Sequence, residues 1–290
     1  MKKQFRVFLD FLLFSNSFIA LGAAAQVAFS YQLIGVQINL YLVALVFFAS
    51  LAFYNFSMLL SKPADPPNSP FKRMQWMGRH EYLVKCLILM SALAVIGIGI
   101  KLSVYTQALL VCLGMISLSY NLPVFPSGGQ RVGLRNLPGG KVFLIALVWT
   151  LSVLMLPLTE YCNTGYEISR GKIVYLLLHR FLFISALLIP FDIRDLKQDA
   201  RYQLKTLPTL LGTHKAYRLS KLLLFSSLAF CSFIVPVFSM EFAAMLSTTL
   251  IFYWFIFEYS GQKNEYYYFF YLDGLLLLPW LFILLLNLLF

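Results

Sequence analysis

Charged residues are scarce in this chain: they make up 12% of its 290 residues, against about 25% in an ordinary soluble domain. Hydrophobic residues make up 60%, and the mean hydropathy is +0.77. These figures exclude a soluble globular protein. The 3 histidines and 4 cysteines are scattered and include no Cys-x-x-Cys pair, so the sequence lacks the patterns of a zinc site and of a disulfide framework.

Long apolar runs recur along the chain, and each is long enough to cross a bilayer core of about 30 Å as a helix. The sequence therefore predicts an all-α, polytopic membrane bundle of about nine transmembrane helices, with its N-terminus in the cytoplasm. It is expected to form a single domain, 1–290, with cytoplasmic inter-helix loops near 61–81, 121–138 and 192–216. The predicted spans are approximately 8–30, 38–60, 82–100, 103–121, 138–157, 172–191, 217–237, 240–258 and 267–289.

The net charge of +11 is mainly a topology signal. Most of the 23 basic residues fall in the predicted cytoplasmic loops, and the outside loops keep Lys101, Arg170 and Lys172. Arg180 falls inside a span, where it either faces a polar cavity or snorkels to the outer surface. No nucleic-acid-binding pattern is present, and the basic loops are expected to attract anionic membrane lipid. We expect a multi-pass protein of a bacterial inner membrane, and the sequence identifies no protein partner.

Acidic residues are rare, yet three of the 12 fall within eight positions, at Asp192, Asp195 and Asp199. If residues 192–205 are helical, the three carboxylates lie within an arc of about 60°. Like charges three and four positions apart destabilise a helix, and no basic residue lies at those distances from any of the three. The pattern therefore predicts that local ion pairs do not neutralise this aspartate stripe.

Mg²⁺ is the economical candidate for the missing cation. It binds oxygen ligands and takes one or two protein carboxylates together with water and substrate phosphate. Asp192, Asp195 and Asp199 are therefore candidate metal ligands. The alternative is a solvated cytoplasmic loop whose charges only keep it out of the bilayer.

A glycine-rich, basic loop runs from Tyr120 to Lys141. It is not a Walker A phosphate loop, because such a motif ending at Lys141 needs Gly at the position of Arg135 and Ser or Thr at that of Val142. The loop is either a flexible connector or a segment whose Arg131 and Arg135 contact an anion held at the aspartate stripe.

The segment Asp192-x-Arg194-Asp195-x-x-x-Asp199 resembles the second aspartate-rich motif of the UbiA superfamily of intramembrane prenyltransferases. Lys205-Thr206-Leu207-Pro208 and Leu211-Gly212 follow at the positions expected for that family. The loop from Tyr120 to Lys141 is similar to the family's segment between its fourth and fifth helices. The resemblance covers nearly the full chain.

The resemblance implies an all-helical bundle around a central cavity that is open to lipid. A polyprenyl diphosphate binds there with Mg²⁺, between two facing aspartate-rich motifs, and a small acceptor, commonly aromatic, attacks the allylic cation that develops as diphosphate leaves. The candidate residues are Asp192, Asp195 and Asp199 for metal, Asn55, Arg131, Arg135, Arg194 and Lys205 for substrate, and Asp195, Asp199 and Tyr120 for catalysis. Tyr120 is expected near the reacting carbon.

The first aspartate-rich motif of that family is degenerate here. It aligns with residues 55–63, where Asn55 is kept and the carboxylate positions hold Phe56, Leu59 and Pro63. Asp65 stands two residues beyond the last expected position, and Lys62 is a candidate substitute for the metal charge.

Three functions follow from these patterns. Mg²⁺-dependent prenyl transfer is the one that the second motif favours. A non-catalytic relative would bind an isoprenoid or another lipid as a carrier or accessory subunit. A transporter is less well supported, because the spans lack the paired ionisable residues and the broken helix pairs expected at a midplane site.

Overall fold

The computed structural model describes residues 2–122, 125–127, 130–134, 140–162, 168–201, 205–257 and 263–289. Its helices are α1 (Lys2–Phe14), α2 (Ser17–Ile34), α3 (Leu40–Leu60), α4 (Lys72–Arg79), α5 (Glu81–Gly99), α6 (Val104–Asn121), α7 (Gly140–Thr150), α8 (Leu156–Cys162), α9 (Arg170–Arg201), α10 (Leu207–Leu211), α11 (Thr213–Cys231), α12 (Met240–Phe257) and α13 (Leu278–Leu289). Two π-helical stretches, Leu151–Met155 and Tyr267–Leu272, join α7 to α8 and precede α13. The short strands β1 (Phe125–Ser127) and β2 (Gln130–Val132) pair antiparallel, and apart from this hairpin the predicted all-α class is confirmed.

Five helical runs of the described chain are long and apolar enough to cross a membrane: Ser17–Ile34, Leu40–Leu60, Glu81–Gly99, Gly140–Cys162 and Arg170–Leu196. Three shorter apolar helices are Val104–Tyr120, Met240–Ile256 and Leu278–Leu289. The number of nine spans and the cytoplasmic N-terminus stay predictions.

The first predicted span, 8–30, is wrong in its bounds. The helix breaks after Phe14, because Asn16 adopts a left-handed conformation with φ 62°. Asparagine tolerates this conformation better than most residues, since its short polar side chain forms local hydrogen bonds. A separate helix, α2, begins at Ser17 and supplies the first membrane-spanning run.

By packing, the chain divides into two compact units, so the single domain of residues 1–290 stays a prediction. Unit 1 comprises residues 1–102 and 263–281. In it, α2 makes a close helix contact at Gly22, where a Cβ would lie 2.9 Å from Cβ of Leu276. The neighbouring Gln26 is fully buried and donates from Nε2 to the Leu276 carbonyl at 2.6 Å, which satisfies a polar group inside an apolar helix pair.

The loop helix α4 is docked within unit 1. The Glu265 carboxylate accepts from the backbone N–H groups of Lys72 at 2.7 Å and Arg73 at 3.0 Å, so it caps the N-terminus of α4 and complements the helix dipole. The ring of Trp76 lies 6.3 Å from that of Phe11 and 6.5 Å from that of Phe14. These contacts fix α4 against α1.

Unit 2 comprises residues 103–262 and 282–290. Its longest helix, α9, packs against α7 and α11. Pro190 lies inside α9 and has no N–H to donate to the carbonyl four residues earlier, which belongs to Ala186. The Ser220 hydroxyl of α11 donates to that carbonyl at 2.8 Å, so a side chain of the neighbouring helix replaces the lost backbone bond.

Candidate functional site

The aspartate stripe lies in a helix and not in a loop. The predicted cytoplasmic loop 192–216 begins inside α9, which continues to Arg201. Asp192 and Asp199 are buried, with 3% and 5% of their surface exposed, whereas the Asp195 side chain is 29% exposed. The three carboxylates therefore share a helix, which meets the condition under which their spacing puts them on one face, but they differ in their access to water.

Lys141 supplies the cation that the sequence did not reveal. Its Nζ lies 2.9 Å from Oδ1 of Asp192 and 3.2 Å from Oδ2 of Asp199. The two aspartates are seven positions apart, which is about two helical turns. One ammonium group from the first turn of α7 thus bridges both buried carboxylates, and it relieves the repulsion that the spacing implied.

The third carboxylate is paired with its own neighbour. Arg194 donates from Nε to Oδ1 of Asp195 at 2.7 Å and from Nη2 to Oδ2 at 3.1 Å. The guanidinium also lies 5.2 Å from the centre of the Phe191 ring. The prediction that local ion pairs do not neutralise the stripe is therefore wrong at Asp195, which Arg194 pairs, whereas Asp192 and Asp199 are paired, among the described residues, only with the distant Lys141.

The site keeps unused oxygen capacity. The described ion pairs set one ammonium and one guanidinium against the three carboxylates. Oδ2 of Asp192 is buried and has no hydrogen-bond partner among the described residues. In the same part of the chain, no group of three His, Cys, Asp or Glu side chains is arranged as a metal site. Oδ2 of Asp192 is therefore an oxygen that a cation could bind without displacing a described hydrogen bond.

A second, short helix comes after the stripe in the chain. This helix, α10, starts after Thr206, has Pro208 in its first turn and ends at Leu211, just before Gly212. Gly212 has φ 77°, which favours glycine, and its backbone leads directly into α11. Lys205, a predicted diphosphate contact, is exposed beside α10.

The basic loop before α7 is described only in part. Tyr120 is half-buried near the end of α6, and a Cβ on Gly133 would lie 2.6 Å from the Tyr120 carbonyl oxygen. The loop therefore returns to the end of α6 at a position that only glycine can occupy without a shift. Arg131 lies in β2, where the structure describes the backbone but not the side chains. Arg135 lies outside the described residues.

Asn55, the remnant of the first motif, is fully buried within unit 1. Its Nδ2 donates to the carbonyls of Ser15 at 2.8 Å and Leu51 at 2.9 Å, and its Oδ1 accepts from Nδ2 of Asn16 at 3.0 Å. Arg73 in turn donates to Oδ1 of Asn16. The amide of Asn55 is thus engaged in holding the break between α1 and α2.

The other candidates near the first motif are engaged elsewhere. Lys62 forms an ion pair with Glu81, which also binds Lys85 at 2.8 Å. Asp65 is exposed and accepts a hydrogen bond from Asn68 at 2.8 Å. These bonds do not involve Asn55. The guanidinium of Arg73 is the cationic group that donates to Asn16, and Asn16 in turn donates to Asn55.

Arg180 faces the interior of unit 2. Both it and His179 have no exposed surface, so snorkelling of Arg180 to the outer surface is wrong. His179 Nδ1 lies 3.0 Å from the Ser227 hydroxyl, which donates to the His179 carbonyl at 3.0 Å. Buried ionisable groups of this kind are costly in a membrane protein, and here they accompany polar side chains of α11.

No family profile matches this chain, and no curated protein matches it in sequence. Solved structures do match its fold. A digeranylgeranylglyceryl phosphate synthase structure is 14% identical, with 98% of each chain covered and a TM-score of 0.56. A UbiA homologue from Archaeoglobus fulgidus bound to GPP and Mg²⁺ is 12% identical, with 94% of this chain and 97% of that chain covered and a TM-score of 0.64. A structure of a UbiA homologue from Archaeoglobus fulgidus bound to DMAPP and Mg²⁺ is 13% identical, with 95% of this chain and 96% of that chain covered and a TM-score of 0.63.

The chain therefore has a UbiA-like fold over nearly its whole length, as its aspartate motif predicted. Together with its apolar helices, this fold makes it an integral membrane protein. At 12–14% identity the likeness concerns the fold alone. The reaction has to be argued from the side chains on α7 and α9.

Proposed function

We propose that this protein transfers a prenyl group from a polyprenyl diphosphate to a small acceptor, commonly aromatic, within a membrane. The observation that carries the proposal is the buried pair Asp192 and Asp199, bridged by Lys141, in a chain with a UbiA-like fold. Neighbours of that fold were solved with GPP or DMAPP and Mg²⁺. The cytoplasmic membrane of a bacterium is the location that we propose.

Mg²⁺ suits the donor set on α9. Asp192, Asp195 and Asp199 offer only carboxylate oxygens, and the buried Oδ2 of Asp192 accepts no hydrogen bond within the described chain. Mg²⁺ prefers such hard oxygen ligands and completes its shell with water and phosphate oxygens. When bound, it would neutralise the negative charge that develops on the departing diphosphate.

Lys141 holds the two buried carboxylates together before substrate binds. Its ammonium offsets their mutual repulsion in a low-dielectric environment, where an uncompensated carboxylate is costly. As a diphosphate enters, the same ammonium is close enough to the carboxylates to donate to a phosphate oxygen held beside them. We therefore add Lys141 to the candidate substrate-binding residues.

The remaining candidates have different support. Arg194 is already beside Asp195 and can share its donors with a diphosphate, whereas Lys205 is exposed and only near in sequence. Arg131, Arg135 and Tyr120 are proposed from the family resemblance. For Asn55 we propose a positioning role, because all its amide groups are hydrogen-bonded within unit 1.

The alternative is a non-catalytic protein that binds an isoprenoid or another lipid. It is favoured by one observation: the surviving residue of the first motif is part of a structural network, and hydrophobic residues or proline replace the carboxylates beside it. Such a protein would keep the aspartate stripe to bind a diphosphate without breaking its ester bond.

Incubation of the purified protein in detergent with radiolabelled geranyl diphosphate and a panel of aromatic acceptors tests the proposal. We expect Mg²⁺-dependent prenylated product and diphosphate release, both abolished by Asp199→Asn and retained by Asp65→Asn, which changes an exposed aspartate. Binding of the prenyl diphosphate without any release would support the non-catalytic alternative. Absence of binding in the wild type would overturn both.

A further inference from the structure

The first helix presents an apolar face to its surroundings. Phe5 and Phe8 are 66% and 60% exposed, and at 100° per residue they lie with Leu12 within an arc of about 60°. The opposite side of α1 packs at the end of the helix, through the buried Leu13 and Phe14, whereas Val7 on that side is 63% exposed. Two large aromatic side chains left exposed on one side of a helix call for an apolar partner.

Contacts within unit 1 fix the level of α1 relative to the spans. Phe11 and Phe14 pack on Trp76 of α4, a polar helix in the segment between α3 and α5. Asp10 accepts a hydrogen bond from Tyr266, which precedes the π-helical stretch. Both partners belong to segments that connect apolar helices, so α1 lies where the spans end.

The charges of α1 suit an anionic membrane surface. Its sequence begins Met1-Lys2-Lys3 and includes Arg6, and its single acidic residue, Asp10, is held by Tyr266. Burial and the hydrogen bond to Asp10 raise the pKa of the Tyr266 hydroxyl, so it stays protonated as the donor. A helix whose sequence combines basic residues with large aromatic residues is typical of segments that lie in the lipid interface.

The break at Asn16 makes this orientation possible. A left-handed residue between α1 and α2 lets the two helices run in different directions. The bond from Arg73 to Asn16 and that from Asn16 to Asn55 hold the break to α4 and α3.

We propose that α1 is an in-plane anchor, which lies on the cytoplasmic leaflet with Phe5 and Phe8 in the acyl boundary and binds anionic lipid through its basic residues. The inference is independent of the proposed prenyl transfer. It rests on exposure, packing and charge within unit 1. Anionic phospholipid of the leaflet that surrounds the spans is the partner that these features fit.

Depth measurements on the full-length protein test the orientation. The four native cysteines are first replaced by alanine, and a nitroxide label is attached at Phe8→Cys or at Arg6→Cys in nanodiscs of phosphatidylcholine and phosphatidylglycerol. We expect the label at position 8 to collide more with oxygen than with a water-soluble nickel chelate, and the label at position 6 to show the reverse.

Greater nickel accessibility at both positions would place α1 in water, and core-depth values at both would make it part of a span. Either result overturns the proposal, as does dipolar broadening at position 8 that disappears on dilution with unlabelled protein, which would reveal a second copy.

Lipid counting tests the charge part. Native mass spectrometry of the full-length protein from micelles containing phosphatidylglycerol should show at least one lipid fewer on the Lys2→Gln, Lys3→Gln, Arg6→Gln variant than on the wild type. The matched control, Lys215→Gln, Arg218→Gln, Lys221→Gln, removes the same charge from α11 and should lose fewer phosphatidylglycerol molecules than the α1 variant. With phosphatidylcholine alone, variant and wild type should be equal. An unchanged phosphatidylglycerol count in the α1 variant would overturn anionic-lipid binding.

Discussion

Lys141 and Asp192 form a buried ion pair in which Nζ lies 2.9 Å from Oδ1, and the same ammonium reaches Asp199. Lys141 stands at the start of α7, and both aspartates stand near the end of α9. One side chain therefore ties two helix ends together and also occupies oxygens that a metal ion would use. Its removal should affect stability and metal binding in opposite directions.

Substitution Lys141→Met should destabilise the protein markedly. It leaves two buried carboxylates without their shared cation, and breaking a buried ion pair by removal of one partner costs about 3–5 kcal/mol. Thermal unfolding in detergent with EDTA should show a Tm lower by several degrees. Lys215→Met, at an exposed position of α11, is the matched control and should leave Tm nearly unchanged. A wild-type Tm for Lys141→Met would contradict the ion pair.

Metal dependence should increase in the same variant. With the ammonium gone, Mg²⁺ is the available cation for Asp192 and Asp199, so Mg²⁺ should raise the Tm of Lys141→Met more than that of the wild type. Addition of Asp192→Asn should remove this extra rise, because the amide lacks the second anionic oxygen. The measurement is a Mg²⁺ titration of Tm, with Ca²⁺ as a size control. Equal Mg²⁺ shifts in all three proteins would argue against a metal site on α9.

Asn55 should matter more for stability than for substrate affinity. Asn55→Ala removes the donor to the Ser15 carbonyl and the acceptor for Asn16, and leaving buried polar groups unsatisfied costs about 1–3 kcal/mol. We expect a lower Tm but, well below that Tm, an unchanged Kd for geranyl diphosphate.

The control for Asn55 is Asn68→Ala, which removes an exposed amide bound to Asp65 and should change neither quantity. A large loss of affinity in Asn55→Ala with a small change in Tm would instead make Asn55 a direct substrate contact.

The common face of the aspartate stripe could be predicted from the spacing of 192, 195 and 199, on the condition of a helix, although 192–216 was predicted as a loop. The counter-ions of the stripe could not be predicted. Lys141 is 58 positions from Asp199, and only the packing of α7 on α9 brings them together. Adjacent residues of a helix do not face each other, so the pairing of Arg194 with Asp195 depends on the reach of the long arginine side chain.

The break between α1 and α2 was equally hidden. Hydropathy measures the composition of residues 8–30, which is apolar throughout apart from a few polar side chains, and carries no information on the backbone conformation of Asn16. The signal that was present is local: Ser15, Asn16 and Ser17 are residues whose side chains compete with the helix for backbone hydrogen bonds. Their partners on α3 and α4 are set by tertiary packing.

The Ser220 hydroxyl should be coupled to Pro190, because it donates to the Ala186 carbonyl that a proline at 190 leaves without a backbone donor. Ser220→Ala should cost about 1 kcal/mol, within the range for hydrogen bonds between membrane helices. In a Pro190→Ala background the amide at 190 can bond that carbonyl, so Ser220→Ala should cost less there. Unfolding free energies of the four proteins complete the double-mutant cycle.

Ser232→Ala provides the control for this cycle, because Ser232 is an exposed serine that bonds a carbonyl of its own helix end. Its cost should be the same whether residue 190 is proline or alanine. Equal costs for Ser220→Ala in both backgrounds would mean that the hydroxyl does not compensate for the proline. Since Pro190 stands two residues before Asp192, a measured coupling would show that α11 supports α9 within one turn of the residue that pairs with Lys141.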